Sequence, residues 1–277
     1  MRIAVTGGKG GTGKSTIATA ISNYLAENGK KVLLLDLDVD CPNDHLLLGI
    51  KIKREQAVET MIPKFNYEKC IKCGRCSKVC RENAIVFVKN KYPFLVKEQC
   101  IGCRACKIAC PTNAIEEEKQ TIGWIYKGKK DNLTLISGRL RPGIEESSLV
   151  VNATKKYAKK LEKKFEYVII DTAAGTHCPV IAALLEADVA LAVTEPTPLA
   201  INDLKLILNL LKKMKLRHFV VLNKANIAAK REVEKITKQS KTRIIAEIPY
   251  SREIIDAYAH GRAVKFDSLN EILKAVE

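Results

Sequence analysis

The chain has 277 residues, 47% of them hydrophobic and 28% charged, and its formal net charge is +16. This length and composition predict a globular protein that can bury a full core. No stretch has the unbroken apolar length that a membrane-spanning helix needs, and no signal peptide precedes the first predicted strand, so we expect a cytoplasmic protein without a membrane span.

The excess of Lys and Arg leaves three interpretations open. A Lys- and Glu-rich surface is typical of heat-adapted proteins. Attraction to an acidic redox partner, or non-specific nucleic-acid binding, would use the same charge. The densest basic run, between Lys155 and Lys164, lacks the interleaved aromatic residues that base stacking needs. Nucleic-acid binding is therefore an alternative that the charge permits but the sequence does not favour.

Apolar segments of strand length alternate with amphipathic helical segments along the chain. The predicted strands are Ile3–Thr6, Val32–Asp36, Leu133–Ser137, Tyr167–Asp171, Val189–Thr194, Phe219–Asn223 and Arg243–Ile248. The predicted helices include Ile17–Glu27, Ala200–Met214 and Ile254–Ala259. Nearly continuous apolar strands are expected where helices cover both faces of a parallel sheet. The pattern predicts an α/β fold, doubly wound around a mostly parallel sheet.

A glycine-rich segment lies between the first predicted strand and the first predicted helix. It fits the P-loop pattern and contains Gly8, Lys9, Gly10, Gly11, Thr12, Gly13, Lys14, Ser15 and Thr16. In such a loop backbone N–H groups surround phosphate oxygens, and the helix N-terminus adds a favourable field. We expect Lys14 to bridge the β- and γ-phosphates and the Ser15 hydroxyl to bind Mg²⁺. The alternative is a glycine turn that binds no nucleotide, which this strand–loop–helix context disfavours.

The second lysine of this loop, Lys9, makes it resemble the deviant Walker A motif of the MinD/ParA/Mrp family of P-loop ATPases. The resemblance implies that ATP closes a homodimer in which Lys9 reaches phosphates held by the partner subunit, as an arginine finger does. Asp36 and Asp38 resemble the family's switch I, in which Asp38 would position the attacking water and Asp36 would lie near Mg²⁺. Asp171 resembles the Walker B carboxylate, which holds the metal through water.

Some acidic residues near these motifs are given a local role. We interpret Asp40 and Asp44 as turn and helix-cap residues, and Glu195 as structural or adjacent to the nucleotide. The predicted catalytic residues are then Lys9, Lys14 and Asp38, and the predicted Mg²⁺ residues are Ser15, Asp36 and Asp171.

Two later loops favour ATP over GTP. Residues 223–226 resemble a base-reading loop, in which a GTPase would need Asp at the last position. A carboxylate accepts two N–H bonds from guanine, whereas Asn226 offers one acceptor and one donor. Pro249 lies in a segment that resembles the family's adenine-side loop. We therefore expect Asn223 and Pro249 beside the base of ATP.

Between residues 64 and 118 the strand–helix alternation stops and cysteines dominate. Two C-x₂-C-x₂-C-x₃-C runs lie thirty residues apart; the first contains Cys70, Cys73, Cys76 and Cys80, and the second Cys100, Cys103, Cys106 and Cys110. In a cytosolic chain such runs indicate metal rather than disulfides. In this spacing three thiolates of one run and the fourth of the other surround an iron–sulfur cluster.

The paired runs resemble a bacterial ferredoxin with two 4Fe–4S clusters. Cluster I would be held by Cys70, Cys73, Cys76 and Cys110, and cluster II by Cys100, Cys103, Cys106 and Cys80. Zinc is the alternative for paired C-x₂-C motifs, but the doubled four-cysteine spacing favours iron–sulfur. We therefore predict P-loop ATPase segments over residues 1–63 and 119–277, interrupted by a small α+β ferredoxin-like domain over residues 64–118.

Two cysteines lie outside these runs. Cys178 resembles the position at which a nitrogenase-type iron protein holds a cluster that bridges its dimer; the alternative is a small buried residue at the start of a helix. Cys41 is interpreted as a packing residue.

Together these features predict a dimeric ATP-hydrolysing switch coupled to iron–sulfur clusters. It would act in redox transfer, or in iron–sulfur or metal-cofactor assembly, with a redox or assembly protein as partner. One alternative is a cluster carrier of the Mrp type, although the C-terminal C-x-x-C pair of those proteins is missing. Another is a positioning ATPase like MinD or ParA that docks through the ferredoxin-like insert. The segment Ser268–Glu277, with two glutamates and one lysine, is a poor membrane anchor.

Overall fold

The computed structural model describes all 277 residues, which form two compact units. The first unit contains Met1–Glu55, Ile125–Arg139 and Val151–Glu277, and the second contains Gln56–Trp124 and Leu140–Val150. The second unit includes the whole segment predicted as an insertion over residues 64–118. It extends that segment on both sides and adds Leu140–Val150.

Eleven strands and ten α-helices follow one another along the chain. The strands are β1 (Arg2–Thr6), β2 (Val32–Leu37), β3 (Lys53–Phe65), β4 (Ile85–Val86), β5 (Phe94–Leu95), β6 (Ile115–Lys130), β7 (Leu133–Leu140), β8 (Tyr167–Thr172), β9 (Val189–Thr194), β10 (Arg217–Asn223) and β11 (Ile244–Ile248). The helices are α1 (Lys14–Glu27), α2 (Asp44–Leu47), α3 (Arg75–Lys78), α4 (Ala105–Ile108), α5 (Ser147–Lys159), α6 (Cys178–Leu184), α7 (Pro198–Lys213), α8 (Arg231–Gln239), α9 (Arg252–Ala259) and α10 (Leu269–Val276). None of the helices combines the length and the apolar composition that a membrane-spanning helix requires.

A nine-stranded sheet has the order β11-β10-β9-β1-β8-β2-β7-β6-β3. Every neighbouring pair from β11 to β7 is parallel. β1 lies between β8 and β9, with Ile3 opposite both Ile169 and Val189. The seven strands predicted from apolar runs are β1, β2 and β7 to β11, with ends that differ by three residues at most. The predicted α/β class with a mostly parallel sheet is confirmed.

The core of the first unit explains why these apolar runs form central strands. All six residues of β2 are buried, and so are all six of β9, because helices cover both faces of the sheet. α1 packs on this sheet through Ile17 and Ile21, which are 1% and 0% exposed. Burial of each such side chain contributes about 1.5–3 kcal/mol to the free energy of unfolding.

Two long strands, β3 and β6, have residues in both units and were not predicted. The first five residues of β3 are all exposed, and most residues of β6 are polar. Their sequences therefore lack the apolar run or the regular alternation from which a strand is recognised. Backbone pairing in the sheet, rather than side-chain pattern, defines them.

The second unit has a small core of its own in which cysteines replace most of the usual aliphatic residues. Its buried members are Cys76, Ile85, Cys106 and Ile115, with Phe65, Cys80, Leu95 and Cys110 packed against them. β4 and β5 pair antiparallel as a short hairpin, with Val86 opposite Phe94. Positive φ angles recur at three pairs of equivalent positions in, or just after, the two cysteine runs. The pairs are Lys72 with Gly102, Gly74 with Arg104, and Asn83 with Asn113. The sequence repeat is therefore also a repeat of backbone conformation.

Candidate functional site

The phosphate loop, residues 8–15, connects β1 to α1 in the first unit. Gly13 has φ +96°, and a Cβ on it would lie 2.2 Å from Nδ2 of Asn223. Asn223 donates a hydrogen bond to the carbonyl of Thr12 at 2.8 Å. A Cβ on Gly8 would lie 2.3 Å from the carbonyl oxygen of Asp203. Glycine is therefore required at residue 13 for its backbone conformation and at residue 8 for close packing.

Carboxylates converge behind the phosphate loop. The Ser15 hydroxyl donates to Oδ2 of Asp171 at 2.6 Å. Asp36, Asp44 and Asp171 are fully buried, and each offers a carboxylate oxygen within 4.8 Å of the other two. Asp36 Oδ1, Asp171 Oδ1 and both oxygens of Asp44 have no hydrogen-bond partner. Buried, unpaired oxygens beside a serine hydroxyl fit a hard divalent cation such as Mg²⁺.

Asp44 was missed as a member of this group. It was interpreted as a turn or cap residue, but its side chain is 0% exposed and lies beside Asp36 and Asp171. Its backbone N–H donates to Oδ2 of Asp36 at 3.3 Å, and this hydrogen bond holds the start of α2 beside the site. The sequence signal was its place on an apolar helix face, where a solvent-exposed cap would not be expected.

The electrostatics of the site follow from burial. Burial raises the pKa of Asp171 to about 7, although the Ser15 hydrogen bond and the Lys14 charge oppose the shift. Burial, and then the neighbouring carboxylates, raise the pKa values of Asp36 and Asp44 well above the usual range. Burial lowers the pKa of Lys14, with Asp171 and Asp38 opposing. A cation among these carboxylates would favour their ionised forms.

A pocket of about 390 Å³ opens from the phosphate loop. Among its lining residues are the predicted Gly10, Gly11, Gly13, Lys14, Ser15, Thr16, Asp38, Asn223 and Pro249. Gly8, Lys9 and Thr12 of the predicted set do not line it. Tyr250, Ile254 and Tyr258 add an apolar wall on the Pro249 side, which suits a flat base. Burial raises the pKa of Asp38, with Lys14 opposing.

Lys9 is held outside this pocket by Glu195. Its Nζ lies 3.1 Å from Oε1 of Glu195, and Nζ of Lys224 lies 2.8 Å from Oε2. The Glu195 residue is 5% exposed. Burial alone would raise the pKa of Glu195, but hydrogen bonds from Lys224 and Lys9 hold it below its usual value. Glu195 therefore positions two cations beside the phosphate loop.

Asn226 is not free to read a base. Its Nδ2 donates to the Tyr250 carbonyl at 3.3 Å, and its Oδ1 accepts from the Tyr250 N–H at 2.7 Å. Both ends of the amide are thus used to join the loop after β10 to the loop after β11. The argument from Asn226 for ATP over GTP is corrected accordingly: this residue fixes the pocket wall.

The cysteines of the second unit line two cavities, and all ten cysteines of the chain are free thiols. One cavity, about 550 Å³, is lined by Cys80, Cys100, Cys103 and Cys106. The other, about 20 Å³, is lined by Cys70, Cys73, Cys76 and Cys110. Each set takes three thiols from one run and the fourth from the other. The larger cavity has room for an iron–sulfur cluster, and the smaller one is lined by the other four thiols of the two runs.

The surroundings of these thiols also suit metal. Burial raises the pKa of Cys106 to about 11 and also raises the pKa values of Cys76 and Cys100. Such thiols become thiolates when a metal compensates the buried charge. The Ala114 N–H donates to Sγ of Cys110 at 3.2 Å. Left-handed residues recur in both runs, and residues in this conformation can form a concavity of backbone N–H groups that binds anionic groups.

The two remaining cysteines are exposed. The interpretation of Cys41 as a packing residue is therefore wrong. Cys178 begins α6, and the alternative in which it is a small buried residue is also wrong.

Comparison with known proteins places these features in a family context. Residues 3–264 match the family described as CobQ/CobB/MinD/ParA nucleotide binding domain. An uncharacterized protein of Methanocaldococcus jannaschii is 37% identical over 280 residues, which cover 100% of this chain and 96% of that protein. The septum site-determining protein MinD of Thermotoga maritima is 28% identical over 283 residues, which cover 99% of this chain and 84% of that protein.

Two further similarities are narrower in what they show. An iron–sulfur cluster carrier protein of Synechocystis is 39% identical over 70 residues, 24% of this chain and 20% of that protein. The crystal structure of the cell division ATPase MinD of Pyrococcus furiosus superposes with a TM-score of 0.60 at 21% identity, covering 99% of this chain and 98% of that one. This second similarity shows a shared fold.

Proposed function

The chain belongs to the CobQ/CobB/MinD/ParA family of nucleotide-binding domains, and we propose that it is a dimeric, Mg²⁺-dependent ATPase whose nucleotide cycle is coupled to two 4Fe–4S clusters. It would act in redox transfer, or in iron–sulfur or metal-cofactor assembly, together with a redox or assembly protein. The observation that carries the proposal is the pair of four-cysteine cavities in a chain that also has a complete phosphate loop.

The first unit supplies the groups that phosphoryl transfer to water requires. Lys14 lies on the pocket wall with its ammonium directed to the carbonyl of Lys9 at 3.3 Å, where it can exchange that contact for phosphate oxygens. Bound Mg²⁺ would supply charge stabilisation for the transferred phosphoryl group, held by Ser15 with Asp36, Asp44 and Asp171 around it. Asp38, with its raised pKa, can accept a hydrogen bond from the attacking water.

Lys9 is the residue through which we propose that a second copy of the chain completes the site. Its ammonium is bound to Glu195 in the single chain and does not line the chain's own nucleotide pocket. Release from Glu195 would let Lys9 reach the phosphates of the partner subunit. A cation delivered at that point stabilises the charge that develops during transfer. Dimerisation would thereby be coupled to hydrolysis.

The second unit supplies the redox centre. A 4Fe–4S cluster accepts or releases one electron at a potential set by net charge, hydrogen bonds to sulfur and solvent exposure. Cys70, Cys73, Cys76 and Cys110 would hold cluster I, and Cys80, Cys100, Cys103 and Cys106 cluster II. The Ala114 N–H, bound to Sγ of Cys110, would stabilise the thiolate form of that ligand.

A cluster carrier is the second candidate function. The partial similarity to an iron–sulfur cluster carrier protein favours it. Because a carrier must release its cargo, retention of all iron after incubation with an iron-free acceptor protein would contradict this role. The exposed Cys178 at the start of α6 is the thiol that a transferable cluster would use. A MinD- or ParA-like positioning role is a further alternative, in which the second unit docks a cargo.

The test is the ATPase rate of anaerobically purified protein with its clusters first oxidised and then reduced. We expect about eight iron atoms per chain, four for each cluster, and a rate that depends on redox state. The Cys106→Ser variant should lose about half of the iron, whereas the control Cys41→Ser should keep all of it. Zinc in place of iron would overturn the redox role. Full iron with a redox-independent rate would favour a carrier or positioning ATPase.

A further inference from the structure

The first cysteine run lies in a strongly basic part of the second unit. Residues 69–97 contain eight Lys and Arg and a single acidic residue, Glu82. Seven of the eight are exposed and take part in no salt bridge, namely Lys69, Lys72, Arg75, Lys78, Arg81, Lys89 and Lys91. Unpaired charges at this density create a local positive field that is available to another molecule.

The second cysteine run differs in this respect. Arg104 and Lys107 both pair with Glu117, at 3.3 and 2.9 Å. Lys97 pairs with Glu118 at 3.6 Å. The basic residues of this run are thus largely neutralised within the unit. Only the first half of the repeat presents free positive charge.

The hairpin β4–β5 adds exposed apolar residues to the basic region. Val86 and Phe94 are directly opposed across the two strands, and they are 49% and 65% exposed. Val88 is 61% exposed. Neighbouring exposed apolar residues rimmed by charged residues are typical of protein interaction sites.

The hairpin packs against the first cysteine run. The Ser77 hydroxyl donates to the Ile85 carbonyl at 2.7 Å. Lys72 lies with its ammonium 4.4 Å from the centre of the Tyr92 ring. We call this region the basic hairpin surface; its basic members are Lys69, Lys72, Arg75, Lys78, Arg81, Lys89 and Lys91, and its apolar members are Val86, Val88 and Phe94.

We propose that the basic hairpin surface docks an acidic electron-carrier protein. An apolar centre with a charged rim is typical of protein interfaces, and a positive rim selects a negative partner and speeds its approach. A second copy of this chain is disfavoured at this surface, because a two-fold contact would place its seven unpaired basic residues against the same seven of the other copy. Nucleic acid is disfavoured because two of the three exposed rings of this unit, Tyr67 and Tyr92, pack on each other at 4.7 Å, and Lys72 covers Tyr92. That leaves Phe94 as the one exposed ring without such a partner, whereas single-strand binding uses successive stacking platforms.

The choice of an electron carrier rests on the proposed iron–sulfur function. The exposed Cys73 belongs to the run beneath this surface, so a partner docked here lies next to the thiols proposed for cluster I. Lys72 and Arg75 of the surface line the cavity proposed for cluster I, whereas the cavity proposed for cluster II is lined by Arg81 and by Arg104 and Lys107 of the neutralised run. The surface therefore assigns the cluster I end of the unit as the place where an electron enters or leaves.

The experiment measures binding of a purified acidic flavodoxin to the full-length, iron-loaded protein by calorimetry. Binding should be detectable at about 20 mM salt and lost at about 0.5 M, where screening is strong. Lys89→Glu/Lys91→Glu should weaken it about tenfold or more, because four units of charge change at the interface. The control Lys163→Glu/Lys164→Glu, an equal charge change at an exposed site of the first unit, should alter it less than about twofold.

Phe94→Ser separates the apolar contribution to flavodoxin binding from the contribution of the charged residues. It should weaken flavodoxin binding and leave the salt dependence unchanged. Absence of salt-dependent flavodoxin binding, or equal effects of the Lys89/Lys91 and Lys163/Lys164 variants, would overturn the proposal. So would a preference for a DNA duplex under the same conditions, or self-association through the hairpin in analytical ultracentrifugation. The ATPase rate of the same iron-loaded samples in the oxidised and reduced states separates this proposal from the proposed function. Salt-dependent flavodoxin binding together with a redox-independent rate would sustain the docking and overturn the coupling.

Discussion

Asp44 is the residue whose role changes most between sequence and structure. Three buried carboxylates, Asp36, Asp44 and Asp171, share one small space, and several of their oxygens have no hydrogen-bond partner. Without a cation, this arrangement opposes folding, because burial disfavours the ionised form of each acid. We therefore expect these carboxylates to lower the free energy of unfolding unless a bound cation compensates their charge.

The raised pKa values predict that the metal-free protein loses stability as pH rises. The folded protein retains protons that the unfolded chain releases above about pH 4. The free energy of unfolding therefore falls between about pH 4 and the folded-state pKa, which for Asp171 is about 7. Asp44→Asn removes one of the three acids, so the variant should be more stable than wild type. The difference in the free energy of unfolding should grow with pH, to about 1–3 kcal/mol at pH 8.

Urea unfolding without Mg²⁺ or nucleotide, followed by circular dichroism at pH 5 and pH 8, measures this difference. The matched control is Asp40→Asn, which changes an exposed aspartate of the same loop and should show no such pH dependence. An Asp44→Asn effect that is equal at the two pH values would contradict the prediction.

The phosphate loop shows how one element depends on single backbone positions. Gly13→Ala should destabilise the protein by about 1–3 kcal/mol, since residue 13 has φ +96° and a Cβ would lie 2.2 Å from Asn223. The variant should also lose ATP affinity, because the N–H groups of the loop would shift. Thermal unfolding and fluorescent-nucleotide binding measure the two effects.

Gly10→Ala is the matched control in the same loop. Residue 10 does not have a positive φ, and a Cβ on it would meet no atom within 4 Å. Its free energy of unfolding should therefore stay within about 0.5 kcal/mol of wild type. Equal destabilisation by the two substitutions would show that the loop conformation does not depend on Gly13 as described.

The two units have separate cores, which leads to a prediction for the whole molecule. The first unit has a large aliphatic core around β1, β2 and α1, whereas four cysteines are among the eight residues of the core of the second unit. A unit built around metal ligands loses most of its folding free energy when the metal is removed. The core of the first unit contains no cysteine, so we expect its folding free energy not to depend on iron.

Removal of iron with a chelator under anaerobic conditions should therefore unfold the second unit alone. Hydrogen exchange should become fast in residues 66–118, while β1, β2 and α1 stay protected and ATP still binds. A zinc-free, iron-free protein in which residues 66–118 remain protected would contradict a cluster-dependent core. Loss of ATP binding on iron removal would show that the two units do not fold independently.

Features that depend on local spacing and composition could be predicted from the sequence. Apolar runs predicted the parallel strands, because burial on both faces requires continuous apolar residues. The glycines and lysines of residues 8–15 and the two cysteine runs are read directly, since their chemistry depends on neighbours a few positions apart. The long strands β3 and β6 could not be predicted, because their residues are mostly polar or exposed and their apolar residues do not alternate regularly.

The contacts between side chains far apart in the sequence could not be predicted, because they depend on how the strands assemble. Lys9 and Glu195 are 186 positions apart, and Ser15 and Asp171 are 156 apart. Such pairs depend on the order of strands in the sheet, which places β1 beside β8 and β9. For the same reason the burial of Asp44, the use of Asn226 between two loops and the unpaired charges around the hairpin followed from packing. Local spacing encodes the chemistry of each motif, whereas burial and pairing arise only when the strands assemble.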